Sequence, residues 1–385
     1  MRRLAFLINF NQNKWLGGLN IILNLINSIC LNRKFKNIEV LLVTNNKYIT
    51  KNLKFLNKVK IIEDKNIFNL SLYKKIIDKI NLILFGKTIY LERFLIRNKI
   101  DIISHSSVVS GKNSYTKSIV WIPDFQFYHF PNYFSWKYKF FKKLNIKIYI
   151  NQASKILLSS FSAKKDLIKI NKSAIVKTVV NSFSFRVPEK KELTSINILK
   201  NKYDLPNKFF YLPNQYWIHK NHIIVIKALI ELVLKFPDIK VVSTGFNNDY
   251  RSPDYFNNLM SIIKKNNLQN NYIYLGVIPY KDSMSLIKNS LAIINPSKFE
   301  GWSSTVEQAK SFGKSIILSN ISVHKEQNPN KAFFFNPDNH KQLSEIMLKV
   351  WNKEKNIKNY YNKRHNVNFF LDYSNKFFKI INSLQ

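Results

Sequence analysis

Asn295-Pro-Ser-Lys-Phe-Glu-Gly-Trp-Ser-Ser-Thr-Val-Glu-Gln-Ala-Lys310 sets two carboxylates, Glu300 and Glu307, around a Gly/Ser turn that opens a helix. The residues before it, Ser290 to Asn295, form a short apolar run of buried-strand type. The turn therefore belongs at a strand's carboxyl end, where open parallel sheets bind ligands. A helix starting at Ser303 or Ser304 presents unpaired backbone N–H groups to an anion such as a diphosphate. A carboxylate on either side can accept hydrogen bonds from sugar and ribose hydroxyls, so the pattern points to a nucleotide-sugar site.

Outward from this turn, apolar runs alternate with helix-length amphipathic segments twice over, as parallel sheets with crossover helices require. In the first half the strands read Leu4 to Asn9, Ile38 to Thr44, Val59 to Ile62, Ile100 to Ser104, Ile119 to Ile122, Ile156 to Ser159 and Ile175 to Val180, with helices near 18–31, 70–83, 88–98 and 162–170. In the second they read Phe209 to Leu212, Ile239 to Thr244, Tyr272 to Leu275, Ala292 to Asn295, Ser315 to Leu318 and Ala332 to Phe335, with helices near 221–236, 254–267, 280–289, 303–312 and 340–352. The expected fold class is α/β, two Rossmann-like doubly wound parallel-sheet domains facing a central cleft. The expected divisions are a first domain at 1–183, a polar linker at 184–207 carrying Pro188 and Pro206, a second domain at 208–355, and helices at 356–385 that pack back across the domains.

The 385 residues suffice for two such cores, and the 45% hydrophobic fraction is ordinary for a globular chain. The lone Cys30, among Leu25, Ile26, Ile29 and Leu31, reads as a buried small apolar residue and excludes an internal disulfide or thiolate cluster, which fits a reducing cytoplasm. No apolar run approaches the roughly 18 residues of a membrane span, and Met1 to Phe10 reads as a first strand rather than a signal segment. A net charge of +38 points to an anionic partner. Residues 1–190 hold 34 Lys/Arg against 9 Asp/Glu, and residues 191–385 hold 27 against 14, so the first half carries most of the excess. There Trp136-Lys-Tyr-Lys-Phe-Phe-Lys-Lys-Leu-Asn-Ile-Lys147 interleaves rings with cations, which suits an anionic bilayer surface or, equally, a solvated helix face in a chain rich in lysine throughout.

Taken together, Leu212-Pro-Asn-Gln-Tyr-Trp-Ile-His-Lys-Asn-His222, Tyr274-Leu-Gly-Val-Ile-Pro279, Pro296 to Trp302 and Gly313-Lys-Ser-Ile-Ile-Leu-Ser-Asn320 resemble a family 4 retaining glycosyltransferase (glycosyl transferases group 1) of the GT-B fold. Looser likeness in the first half rests on Trp15-Leu-Gly-Gly18, Trp121 to Gln126 and Ser159 to Leu167. The resemblance implies an acceptor-side first domain and a nucleotide-sugar-binding second one. It implies that Gly17 and Gly18 approach the donor diphosphate, whereas a tight turn alone would also explain them. Neither a Gly-x-Gly-x-x-Gly nor a Gly-x-x-x-x-Gly-Lys-Ser/Thr starts at that pair, which argues against dinucleotide or P-loop chemistry.

The resemblance also implies Lys220 as the donor-phosphate cation, with Asn214 and Gln215 beside it, and Glu300 as the contact to the transferred sugar. It implies Gly301, Trp302, Ser303, Ser304 and Thr305 as the donor turn, whose N–H groups from Gly301 to Ser304 meet phosphate and sugar, and Glu307 as the ribose acceptor. Three departures stand out. Gln215 replaces the relatives' arginine, leaving a cation such as His219 to compensate; the glutamates enclose six residues instead of seven; and Pro123-Asp124 stands where relatives have His-Asp. Asp124 is then the leading ionisable acceptor-side group, catalytic with Lys220 and Glu300, with Gln126, His129 and His105 as further acceptor-side candidates; a hydrogen-bonded structural role is the commoner fate of such residues.

No Asp-x-Asp occurs and no His/Cys cluster has ligand spacing, so neither metal nor cofactor is expected. The implied function is metal-independent retaining hexosyl transfer from a nucleotide-sugar to a glycan or lipid-linked acceptor in surface polysaccharide synthesis (lipopolysaccharide, O-antigen or capsule). It is expected in the cytoplasm, peripheral at an anionic membrane face. A nucleotide-sugar epimerase or a non-catalytic sugar-binding protein of the same fold remains open. A nucleic-acid-binding role lacks any zinc-finger, RRM or helix-turn-helix signature, and no nucleic-acid partner is expected.

Overall fold

The computed structural model describes residues 1–8, 16–45, 58–352 and 363–384. It divides into two compact units, Met1–Phe183 with Asn368–Gln385, and Ser184–Val367.

The first unit is built on a seven-stranded parallel sheet in the order β3-β2-β1-β4-β5-β6-β7. Its strands are β1 (Arg2–Ile8), β2 (Ile38–Thr44), β3 (Lys60–Glu63), β4 (Ile102–Ser106), β5 (Lys117–Ile122), β6 (Lys155–Leu158) and β7 (Thr178–Val180). Leu4 to Ile8 are buried without alternation because a parallel strand between covering helices has no wet face. β1 pairs with β2 on one side and β4 on the other. The carboxy-terminal helix Lys363–Asn382 packs here: the Ser28 hydroxyl donates to the Phe370 carbonyl at 2.8 Å, and the Phe377 ring lies 6.4 Å from that of Phe6. Cys30 is half-buried rather than buried, because it lies near the end of helix Leu16–Leu31, where cover thins. Burial raises its thiol pKa, and Lys58 opposes the shift.

The second unit carries a six-stranded parallel sheet, β10-β9-β8-β11-β12-β13. Its strands are β8 (Phe210–Leu212), β9 (Val241–Ser243), β10 (Tyr272–Tyr274), β11 (Ile293–Asn295), β12 (Ile316–Ser319) and β13 (Ala332–Phe335). Residues 184–207, expected as a linker, contain helix Ile196–Tyr203, and Leu199 and Leu205 enter the core of this unit. The Asp282 carboxylate, 1% exposed, fastens that segment by accepting from Thr194 Oγ1, Lys202 Nζ and the Tyr203 hydroxyl. Both sheets have the α/β doubly wound architecture that the alternation of runs implies.

Candidate functional site

In the second sheet the strand order reverses between β8 and β11, so loops 213–221 and 296–303 leave adjacent strands at the carboxyl ends, the ligand position of such sheets. Side-chain amides tie them together. Asn214 Nδ2 donates to Asn295 Oδ1 at 3.1 Å, the Thr305 hydroxyl donates to Asn214 Oδ1 at 3.2 Å, and Asn295 Nδ2 donates to Ser303 Oγ at 2.8 Å. Ser303 in turn caps helix Ser304–Ser311 by accepting from the Val306 N–H. Asn221 takes a left-handed backbone (φ 57°), and its amide donates to the carbonyls of Pro296 and Pro337. The Lys298 N–H donates to the His219 carbonyl at 2.8 Å. The two loops thus form one hydrogen-bonded frame.

Inside the frame Lys220 Nζ lies 2.7 Å from Glu300 Oε1, both side chains largely buried. Burial disfavours the Glu300 anion, but the Lys220 ammonium and the Ser297 hydrogen bond outweigh it and hold the carboxyl below its ordinary range. Glu307, 3% exposed, goes the other way: burial raises its pKa against the opposing pull of Lys310 and Gln327. Both of those partners engage Oε1, at 3.1 and 2.9 Å. The unpaired N–H groups of the first helical turn, at Ser304 and Thr305, add positive potential. Gly301, Trp302 and Gln215 are half-buried around this point.

Several sequence expectations change. His219 cannot replace the missing arginine, because burial holds its pKa well below the usual value, and the neighbouring charges of Lys220 and Arg251 push the same way. The Ser303 N–H is not available to phosphate, since it donates to Gln327 Oε1 at 3.2 Å. Gly17, exposed, and Gly18, buried, lie in the first turn of helix Leu16–Leu31; residues 9–15 of their loop fall outside the described residues.

Of the four acceptor-side candidates, Asp124 and Gln126 are joined by a hydrogen bond. Asp124 is exposed and accepts from the Gln126 N–H at 2.9 Å, while Gln126 itself is buried. His129 Nε2 lies 2.8 Å from Asp166 Oδ2. His105 is 4% exposed in a box formed by Phe6, Trp121 and Phe377, and burial pushes its pKa down to about 3. Its φ of +54° falls where the β4–β5 register shifts. A cavity of about 380 Å³ is lined by Phe127, Tyr128, Trp136, Phe140, Lys139 and Lys143.

Four contributors escape sequence reasoning. Gln327 grips Ser303 at both its N–H and its carbonyl and also holds Glu307. His324, fully buried, lies with Nδ1 2.9 Å from the Ser319 carbonyl. Asp249 receives the Ile218 N–H and the Arg251 guanidinium, which stacks over Trp217. Asn295 alone left a trace, as a polar residue ending an apolar strand run. Among the described residues no group of three or more His, Cys, Asp or Glu side chains is placed to hold a metal ion.

The two parallel sheets with their crossover helices have the GT-B fold. Over 99% of its length the chain matches the crystal structure of a glycosyltransferase from Rickettsia africae ESF-5, covering 98% of that chain, with TM-score 0.67 and 17% identity. Anabaena Alr3699/HepE in complex with UDP and glucose matches over the whole of both chains, with TM-score 0.71 and 14% identity. WaaG, a glycosyltransferase involved in lipopolysaccharide biosynthesis, matches over 97% of this chain and 95% of its own, with TM-score 0.61 and 10% identity. No curated protein matches by sequence. Residues 197–367 match the family model described as glycosyl transferases group 1.

Proposed function

We propose that this protein is a glycosyltransferase that moves a hexose from a nucleotide-sugar, with retention and without a metal, to a glycan or lipid-linked acceptor of surface polysaccharide. The observation that carries the reading is the Lys220–Glu300 pair at 2.7 Å, set between two tied loops beside a capped helix N-terminus and Glu307. In this reading the diphosphate lies against Lys220 and the first helical N–H groups, Glu307 Oε2 accepts from the ribose diol, and Glu300 accepts from the sugar hydroxyls. The bond from sugar C1 to the diphosphate oxygen breaks, and the leaving group keeps the electron pair beside the Lys220 ammonium. The acceptor oxygen bonds to C1 on the same face and passes its proton to a donor phosphate oxygen, so no dedicated protein base is needed. Asp124 positions the acceptor hydroxyl.

The UDP and glucose held by the Anabaena protein and the lipopolysaccharide role of WaaG support this donor and acceptor class. Among the described residues no helix is long and apolar enough to cross a membrane. The aromatic-lysine helix Trp136–Gln152 and its neighbouring cavity therefore support a peripheral position on the anionic cytoplasmic membrane face.

Screening UDP-, GDP-, dTDP- and CMP-sugars for thermal stabilisation tests the donor reading, since ligand at about 100 Kd adds about 2.7 kcal/mol. One donor class should stabilise the protein, Glu307→Ala should abolish the shift, and turnover should survive EDTA. Unchanged donor affinity in Glu307→Ala would remove the ribose assignment; interconversion of the donor's sugar without transfer would favour an epimerase.

A further inference from the structure

Helix Leu72–Phe85 turns Asp78 and Leu82 inward and leaves Leu72, Ile76, Ile80, Ile83 and Leu84 between 48% and 75% exposed. Steps of four, four, three and one residues put these five aliphatic side chains along one side of the helix. A contiguous apolar stripe in water is a cost that marks an interaction surface. Its charge is equally one-sided. Asp78, the helix's single acid, is spent internally: Oδ1 accepts from the Ile89 and Tyr90 N–H groups at 2.7 and 2.8 Å, and Oδ2 from the Leu91 N–H at 3.2 Å, which caps the next helix. What faces outward is aliphatic carbon with Lys75 and Lys79 exposed beside it. Leu82 anchors the helix in the same core cluster as Ile146, Ile148 and Ile150 of helix Trp136–Gln152, whose 17 residues include no acid.

We infer that helix Leu72–Phe85 inserts its aliphatic stripe into the headgroup and acyl boundary of an anionic bilayer. This deepens the membrane part of the reading above and rests on it. Lysines flanking an apolar stripe extend their ammonium groups to lipid phosphates while their stems and the aliphatic residues sit among the acyl chains. A second copy of this chain is a poorer occupant, because its matching helix would bring the same lysines face to face with no outward acid to pair them. Basic surface residues alone would give binding that salt removes. Buried aliphatic area is not screened, so a component of binding should persist at high salt.

The test uses Cys30→Ser/Ile80→Cys protein labelled with an environment-sensitive fluorophore, and phosphatidylcholine vesicles with and without phosphatidylglycerol. Sedimentation with the anionic vesicles, a blue-shifted emission and quenching by acyl-chain bromines are expected. In otherwise unaltered protein, Ile76→Ser/Ile80→Ser should weaken vesicle binding by about tenfold or more, with donor-induced thermal stabilisation unchanged. Vesicle binding without blue shift or quenching overturns the insertion and leaves peripheral membrane binding standing. No vesicle binding at all overturns both, while the donor screen remains independent of either. A concentration-dependent dimer abolished by Ile76→Ser/Ile80→Ser would give the face to a second copy and overturn the proposal.

Discussion

Lys220 and Glu300 form a pair whose partners each depend on the other's charge. Removing one member of a buried pair typically costs about 3–5 kcal/mol, because the survivor is left in a poor solvent. Lys220→Met should therefore lower stability by roughly that amount, and it should cut turnover by about a hundredfold or more if the ammonium meets the leaving diphosphate. Lys220→Met/Glu300→Gln removes both charges, so stability should largely return in urea titrations while activity stays low. Activity that recovers together with stability would reduce the pair to a structural tie. At this scale the sequence showed both glutamates and the lysine as a spaced motif, because chemistry fixes residue type. It did not show that Gln327 holds Glu307, since a glutamine 20 positions away gives no periodic or chemical sign of where its amide points.

At the scale of elements, the frame depends on how closely the loops after β8 and β9 can approach. Gly245 has a φ of +147°, and a Cβ there would lie 2.3 Å from the Asn214 carbonyl oxygen and 2.9 Å from the Gln215 Cα. Gly245→Ala must displace the loop that carries Asn214 or adopt a strained backbone. The expected cost is about 2–4 kcal/mol, with a weakened donor-induced thermal shift, since Asn214 ties both loops. Denaturant midpoints with and without donor measure both effects, and a variant of native stability would show that the loop yields freely. Strands were legible because two covered faces demand unbroken apolar runs, as in Ile293 and Ile294 between β8 and β12. Helix Trp136–Gln152 was harder to read: Trp136 and Phe140 are exposed while Ile146, Ile148 and Ile150 are buried, so it shows no single apolar stripe.

At the scale of the whole molecule, stability should respond to mild acid. Burial lowers the pKa of His105 and His222 from 6.5 to about 3, and lowers those of His219 and His324 as well. A histidine held neutral in the fold takes up its proton on unfolding, so its contribution is complete above the unfolded value near 6.5 and is lost as pH falls toward the folded one. Each such group tilts stability by about 1.4 kcal/mol per pH unit across that window. Three of the four, His219, His222 and His324, lie in the second unit. Urea unfolding followed at pH 7.5, 6.5 and 5.5 should therefore show the second unit weakening faster, and a transition indifferent to pH would mean that these rings gain protons while folded.

The sequence by itself determined the fold class and the residue types at the turn between Glu300 and Glu307, because burial on both strand faces leaves a periodic mark and a Gly/Ser turn flanked by carboxylates leaves a compositional one. Only the tertiary structure decided which groups remain available there. It neutralised His219, committed the Ser303 N–H to Gln327, enclosed His105 among aromatic rings and turned Asp78 inward beneath an exposed aliphatic stripe. Those outcomes depend on desolvation and on partners distant along the chain, and neither quantity is a property of a residue's neighbours in sequence.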